Sequence, residues 1–99
     1  MNVLVVATPR DPLPPDMLGA MVDGALAWYE RYNDRLQAFG NFAGGGGFAV
    51  LDVDSTETLQ QMILEMPFSF VSELAIHPFI PGDGGFRMLK DALANMGMG

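Results

Sequence analysis

Cysteine is absent from this 99-residue chain, and basic residues are scarce, with 5 Lys and Arg against 12 Asp and Glu. Without thiols there is no disulfide, no thiolate nucleophile and no Cys-based zinc or iron–sulfur site. The formal net charge of −7 at pH 7 repels phosphate backbones. No basic run indicates an anionic membrane surface. The composition therefore disfavours nucleic acid and membrane as partners.

Histidine and long apolar runs are also scarce. His77 is the only imidazole in the chain, and no spacing of carboxylates around it indicates a metal site. The apolar run after Met1 is too short for a secretory signal core or a membrane span. We therefore expect a cytoplasmic protein without a bound metal.

Apolar residues are plentiful, at 49% of the chain, which excludes a disordered protein. The length allows one domain of modest size. Because so small a domain buries a limited share of its surface, pairing with a second copy would add stability. We therefore expect a homodimer or a higher homo-oligomer.

The hydrophobic periodicity predicts the order βαββαβ, which is the ferredoxin-like α+β plan with a four-stranded antiparallel sheet. A helical tail follows it. The chain thus divides into a domain over 1–82 and a linker with a C-terminal helix over 83–99. Ser55 is expected to cap the second helix, and Asp54 is the alternative cap. The predicted strands are 2–8, 41–43, 48–54 and 68–79, the predicted helices are 16–39, 55–65 and 86–96, and a glycine hairpin turn occupies 44–47.

Alternation along the last two strands predicts which side chains face the helices. Ala49, Leu51 and Val53 form one apolar face, and Phe70, Ser72, Leu74 and Ile76 form the corresponding face of the last strand. Asp52, Glu73 and His77 then point away from the helices, where a second sheet would dock. Two strand spacings place Asp52 and Glu73 about 10 Å apart across the first strand.

These polar residues are candidates for proton transfer. His77 carries an imidazole, the side chain used most often as a general acid or base, and a buried carboxylate is a suitable base, which makes Glu73 and Asp52 candidates. Tyr32 is a candidate donor to a substrate carbonyl. The alternative is that the carboxylates are solvated or paired with the few Arg and Lys side chains, and that His77 only bonds locally at a strand end.

An aromatic stripe on the first helix is the candidate binding surface. Trp28, Tyr29 and Tyr32 lie within one turn or so of one another, and buried Trp and Tyr need polar partners. With Met21 and Phe48, Trp28 and Tyr29 would line a cleft for a small hydrophobic ligand. The alternative is plain core packing.

Three stretches resemble the muconolactone isomerase family. They are Leu13-Pro14-Pro15-Asp16-Met17 at the start of the long helix, the strand and cap from Phe48 to Ser55, and Met66-Pro67-Phe68 before the last strand. The resemblance implies a ferredoxin-like subunit whose sheets pair into a dimeric α/β barrel. It also implies proton transfer in a small lactone, without cofactor or metal.

The chain departs from that family at the positions of the first helix that are candidates for proton transfer in the family. The family has acidic and basic residues on the inner half of the first helix, and this chain has the apolar stretch 24–29 there. We therefore do not assign the family's lactone-binding site to this chain. We expect a cofactor-independent isomerase or related enzyme on a hydrophobic cyclic substrate. The alternatives are a non-catalytic binding or accessory module and a purely structural dimer.

Overall fold

The computed structural model describes residues 1–98, which form one antiparallel sheet, two helices packed on one of its faces and a third helix after the last strand. The strand order is β2-β3-β1-β4. This arrangement confirms the predicted ferredoxin-like plan with an extra C-terminal helix. The elements are β1 (Asn2–Pro9), α1 (Pro15–Tyr32), β2 (Leu36–Asn41), β3 (Gly47–Asp52), α2 (Thr56–Glu65), β4 (Ser72–Phe79) and α3 (Gly84–Asn95), with short 3₁₀ turns at Asn33–Arg35 and Pro67–Val71.

Local sequence signals fix the ends of the helices. Pro15 occupies the first turn of α1, where its missing N–H removes no helical hydrogen bond, and Asp16 follows at the positive end of the helix dipole. The backbone N–H of Thr58 donates to Ser55 Oγ at 3.1 Å, which confirms Ser55 as the cap of α2. Pro67 comes after Met66, where α2 has already ended.

The glycine run forms the predicted hairpin turn between β2 and β3. Gly45 and Gly46 have φ angles of 105° and 83°, a region that side chains disfavour. The Phe42 N–H donates to the Gly46 carbonyl at 2.9 Å and closes the turn. A Cβ added at Gly46 would lie 2.3 Å from the carbonyl oxygen of Ala7, so the turn also needs glycine for close approach to β1.

The predicted helix over 16–39 and strand over 41–43 are wrong. Helix α1 ends at Tyr32, and residues 36–41 form β2 instead. Leu36 and Phe39 fit the helical spacing of the α1 stripe, but in the structure they pair with Leu51 and Ala49 of β3. Strand pairing has therefore overridden a helical pattern that is compatible with both structures.

The predicted start of the last strand is also wrong. Pro67–Val71 forms a 3₁₀ turn, and β4 begins only at Ser72. The parity prediction consequently fails at Phe70, which is 67% exposed. The turn packs against α1, because a Cβ on Gly24 would lie 2.8 Å from Pro67 Cγ.

The hydrophobic core lies between the sheet and the first two helices. Leu51 and Val53 are 2% and 1% exposed, and Ala49 is 9% exposed, which confirms the predicted helix-facing side of β3. Burial of these apolar groups is the main source of stability. The buried residues are Val3, Trp28, Tyr32, Ala49, Leu51, Val53 and Met62.

Two apolar surfaces remain outside this core. On the outer face of the sheet, Leu4 of β1 lies between Val50 of β3 and His77 of β4, and Val6 lies between Phe48 and Ala75. The other surface belongs to α3, which has no buried residue. The predicted tail over 83–99 ends at Gly99, which lies outside the described residues.

Candidate functional site

An open cavity of about 450 Å³ lies on the helix face of the sheet. It is bounded by α1, the middle of the sheet and the turn before β4. Its volume falls within the usual range for small-molecule sites, about 300–1,000 Å³. The apolar walls include Val5, Leu18, Leu26, Trp28, Phe39 and Leu74.

The mouth of the cavity runs along one side of α1. Leu18, Val22 and Leu26 line the cavity and are nevertheless 41%, 44% and 58% exposed. They follow one another at four-residue spacing, so they form a continuous apolar stripe on the helix. In the single chain this stripe faces solvent.

The few polar groups of the cavity gather at one end of the sheet. Ser72 pairs with Pro9 at the end of β1, Asp11 follows shortly after, and Asn41 pairs with Gly47 at the hairpin. Ser72 is the buried polar residue of the described chain, at 4% exposure. Its hydroxyl is both donor and acceptor. The cavity thus has an apolar interior and one polar end.

Trp28 is anchored in the cavity wall. Its indole Nε1 donates to the Met62 carbonyl of α2 at 2.9 Å, and this hydrogen bond favours the observed orientation of the ring. Its ring centroid lies 5.9 Å from that of Phe39, and Tyr29 stacks on the same Phe39 at 5.5 Å.

The four predicted ligand-binding residues divide into two pairs. Trp28 and Phe48 both border the cavity, but Phe48 lies opposite Val6, so its position in the strand belongs to the outer face of the sheet and only Trp28 is on the helix side. Tyr29 lies behind Phe39 and is 42% exposed, and Met21 is half-buried on α1. Neither is among the lining residues of the described chain.

Tyr32 links helices α1 and α2 and is not among the residues that line the cavity. Its hydroxyl donates to Glu65 Oε2, and Gln61 Nε2 donates to the other carboxylate oxygen at 3.3 Å. Arg31 pairs with the same carboxylate at 3.3 Å. The hydrogen bond and burial raise the pKa of Tyr32, and the same hydrogen bond holds the pKa of Glu65 below its usual range.

The expected approach of Asp52 to Glu73 is wrong. Both side chains are exposed, as is His77, and the pairing places all three on the outer face, as predicted. Yet Asp52 lies opposite Asn2, and Glu73 lies opposite Thr8. These positions are separated by most of β1, about 20 Å at the usual rise per residue.

Neither Asp52 nor Glu73 pairs with an Arg or Lys side chain among residues 1–98; of the two options in the alternative interpretation, both carboxylates are exposed, and Arg35 pairs with Asp54 instead. Asp54 accepts from Arg35 Nη1 at 2.6 Å, and this bond lowers the pKa of the Asp54 carboxyl. Asp52 lies 3.6 Å from the terminal amine of Met1. Neither Glu73 nor His77 has an ion pair among residues 1–98.

Sequence reasoning missed the polar end of the cavity. The strand pattern does place Ser72 on the helix side, but it gives no reason to prefer that residue over its apolar neighbours. Asp11 lies in the loop after β1, and Asn41 is the last residue of β2, so their position at the same end of the cavity as Ser72 follows from the pairing of distant strands. Within residues 1–98, no three His, Asp or Glu side chains are grouped to hold a metal ion. No helix of that part of the chain is long and apolar enough to cross a bilayer.

No family model and no curated protein sequence matches the chain. The solved structures that share its fold include two enzymes. One is the 5-chloro-2-hydroxyhydroquinone dehydrochlorinase of Burkholderia phenoliruptrix, in complex with 2,5-dihydroxybenzoquinone, with 18% identity and a TM-score of 0.67 over 84% of this chain and 97% of that one. The other is muconolactone isomerase, with 17% identity and a TM-score of 0.72 over 85% of this chain and 93% of that one. The chain therefore has a muconolactone isomerase-like fold.

Proposed function

We propose that this chain, with its muconolactone isomerase-like fold, binds a small, largely apolar cyclic molecule in the cavity beside α1. The observation that carries the proposal is the cavity of about 450 Å³ with apolar walls and one polar end. Apolar walls favour a hydrophobic ring, and a few polar groups orient it. The Ser72 hydroxyl would hydrogen-bond an oxygen atom on that ring.

One structural relative supports this choice of ligand. The Burkholderia dehydrochlorinase was solved with 2,5-dihydroxybenzoquinone, a small ring that carries oxygen atoms. Such a compound matches the asymmetry of the cavity in this chain. Its ring would lie against Trp28, and an oxygen would reach the polar end at Ser72.

Cofactor-independent proton transfer is the second candidate function. Asp11 favours this function, because it lines the polar end of the cavity. Its carboxylate can act as a general base. The names of the two structural relatives, an isomerase and a dehydrochlorinase, also favour an enzyme. Asp11 would remove a proton from the ring while Ser72 donates to the carbonyl oxygen.

The residues predicted as catalytic have a different place in this proposal. His77, Glu73 and Asp52 are candidates only for chemistry at the outer face, where the sheet of a second copy would cover them. Tyr32 would contribute through the packing of α1 on α2. We further propose a homodimer built by these outer faces, as in a dimeric α/β barrel, and a cytoplasmic location.

A substitution that fills the cavity with a larger side chain tests the binding proposal. Ala25 lines the cavity on α1, and Ala27 on the same helix is exposed and is not among the lining residues. We expect quinones, lactones and hydroxylated aromatics to include a compound that raises the melting temperature of the protein. Ala25→Phe should abolish that rise, and the matched control Ala27→Phe should keep it. Equal rises in both variants, or no rise with any ring compound, would refute the proposal.

Two further variants separate binding from catalysis. Ser72→Ala removes one hydrogen bond to the ligand and should weaken its affinity by about 2- to 10-fold. Asp11→Asn should leave calorimetric binding nearly unchanged. If it also abolishes turnover of the bound compound, the protein is an enzyme. If the unmodified protein turns over none of the compounds that it binds, the proton-transfer candidate fails and the binding function stands.

A further inference from the structure

The polar end of the cavity has two separate poles, Ser72 and Asn41, at opposite edges of the sheet. Ser72 belongs to β4 and Asn41 to β2, which are the two outer strands. Asn41 lies opposite Gly47, Gly47 lies opposite Ala7, and Ala7 lies opposite Leu74, two residues after Ser72. Three strand spacings across the sheet and two residues along it therefore separate the Cα atoms of Ser72 and Asn41 by about 16 Å.

Neither pole has a hydrogen-bond partner in the part of the chain that the structure describes. Ser72 is 4% exposed, yet neither its hydroxyl nor the Asn41 side-chain amide bonds to another group of residues 1–98. Among the same residues, no side-chain N or O atom that is shut off from the surface lacks a partner. The Ser72 hydroxyl must therefore open onto the cavity that it lines, where a ligand oxygen can meet it.

The floor between the two poles has no projecting side chain. Ala7, Gly47 and Ala49 line the cavity there, and none of them carries a group larger than a methyl. Trp28 and Val22 of α1 line the same cavity from the helix side. A space between a smooth floor and an apolar helix suits a planar ring system, which can bury both of its faces.

The separation of the poles sets the length of a ligand that contacts both. A single ring with oxygens at opposite carbons is too short to reach Ser72 and Asn41 together, even with a hydrogen bond of about 2.9 Å at each end. Fused rings with an oxygen at each far end can reach both. The cavity of about 450 Å³ has room for them, since sites of this volume hold drug-sized molecules.

Electrostatics favour a ligand without negative charge. The Asp11 carboxylate is the one charged side chain in the cavity lining of the described chain, and no Arg or Lys is found there. A carboxylate on the ligand would thus lose its hydration without gaining a cationic partner. The oxygens of the ligand are therefore hydroxyl or carbonyl groups.

We propose that the ligand of this cavity is an uncharged, planar compound of fused rings with an oxygen at each end. One oxygen hydrogen-bonds the Ser72 hydroxyl, the other hydrogen-bonds the Asn41 amide, and the rings lie over Ala7 and Gly47. This inference rests on the proposed function, because it names the class of ring compound that the cavity binds. It makes Asn41 the residue that selects fused rings over single rings.

Two isomeric probes test the required length. 2,6-Dihydroxynaphthalene carries its oxygens at opposite ends of two fused rings, and 2,3-dihydroxynaphthalene carries both at one end. The isomers have nearly the same apolar area, so a difference between them reports on the position of the oxygens. We expect calorimetry to give an affinity about 2- to 10-fold higher for the 2,6 isomer, because it alone hydrogen-bonds both poles.

A matched pair of substitutions assigns the second pole. Asn41 is exposed, so Asn41→Ala should leave the fold intact, and we expect it to abolish the preference for the 2,6 isomer without weakening the 2,3 isomer. Asn33→Ala is the control, because Asn33 is also exposed and is not among the lining residues. It should keep the preference. In ¹⁵N-labelled protein, the side-chain amide signals of Asn41 should shift with the 2,6 isomer and stay in place with the 2,3 isomer.

The outcomes separate this inference from the proposed function. Equal affinities for the two isomers, a preference that survives Asn41→Ala, or unshifted Asn41 signals would overturn the inference. If single-ring quinones or lactones bind in that case, the proposed function stands. If no ring compound binds, the inference and the proposed function fail together.

Discussion

At the scale of single residues, Met62 links the two packed helices to the sheet. Its side chain is fully buried, and its carbonyl accepts the Trp28 indole hydrogen bond. Met62→Ala should therefore lower the free energy of unfolding by about 2–5 kcal/mol, since the core cannot fully close around the lost volume. Urea denaturation measures this change.

The matched control lies on the same helix. Leu64 is 52% exposed, so Leu64→Ala should change the free energy of unfolding by no more than about 0.5 kcal/mol. Similar losses in both variants would mean that α2 is not buried through Met62.

The bond between Tyr32 and Glu65 makes stability depend on pH. The lowered pKa of Glu65 means that its contribution is present above the pKa of the unfolded carboxyl and is lost as pH falls through the folded pKa. The raised pKa of Tyr32 means that its contribution is present below about pH 10 and is lost as pH rises through the folded pKa.

Tyr32→Phe should remove both effects. We expect a melting temperature that is a few degrees lower at pH 7, and a difference that shrinks as the pH falls through the lowered pKa of Glu65 and its carboxylate is protonated. Calorimetric melting curves across this range check it. A difference that stays constant from pH 3 to pH 7 would show that the hydrogen bond carries no stability.

The candidate polar residues show what a strand pattern can and cannot specify. Alternation predicted the correct face for Asp52, Glu73 and His77, because side chains alternate between the two faces of any strand. It could not predict their separation, which depends on how far β3 and β4 slide along β1. That register is set by the turns and by the packing of both faces.

At the scale of the elements, the boundary between α1 and β2 was the main error. Residues 36–39 satisfy the helical spacing of the α1 stripe. They form a strand because Leu36 and Phe39 pair with β3. These contacts are distant in sequence, so no local pattern reveals them. The element order, the Ser55 cap and the glycine turn were predictable, because each depends on residues that are close together in the chain.

The hairpin between β2 and β3 should depend on one glycine more than on its neighbours. Gly46→Ala forces a side chain into a positive φ and against the Ala7 carbonyl, so we expect a loss of about 1–3 kcal/mol in the free energy of unfolding. Gly44→Ala is the control, because a Cβ there meets nothing within 4 Å. Chemical denaturation of the two variants measures the difference. A greater loss at Gly44 than at Gly46 would contradict this account of the turn.

At the scale of the whole molecule, the outer sheet face is the proposed surface of the homodimer. Val50 lies at its centre, opposite Leu4 of β1. Val50→Lys should shift the protein toward monomers in light scattering, because a buried charge without a partner is costly. The control Phe70→Lys changes a side chain that is 67% exposed in the turn before β4, and it should leave the mass unchanged. An unchanged mass for Val50→Lys would exclude this face as the interface.

The position of Trp28 has a practical consequence for every one of these measurements. It is the only tryptophan of the chain, it is 6% exposed, and its ring forms part of the cavity wall. Its emission spectrum is thus an intrinsic optical reporter that needs no dye. Unfolding should shift that emission to longer wavelength, whereas an aromatic or quinone guest should quench it without such a shift.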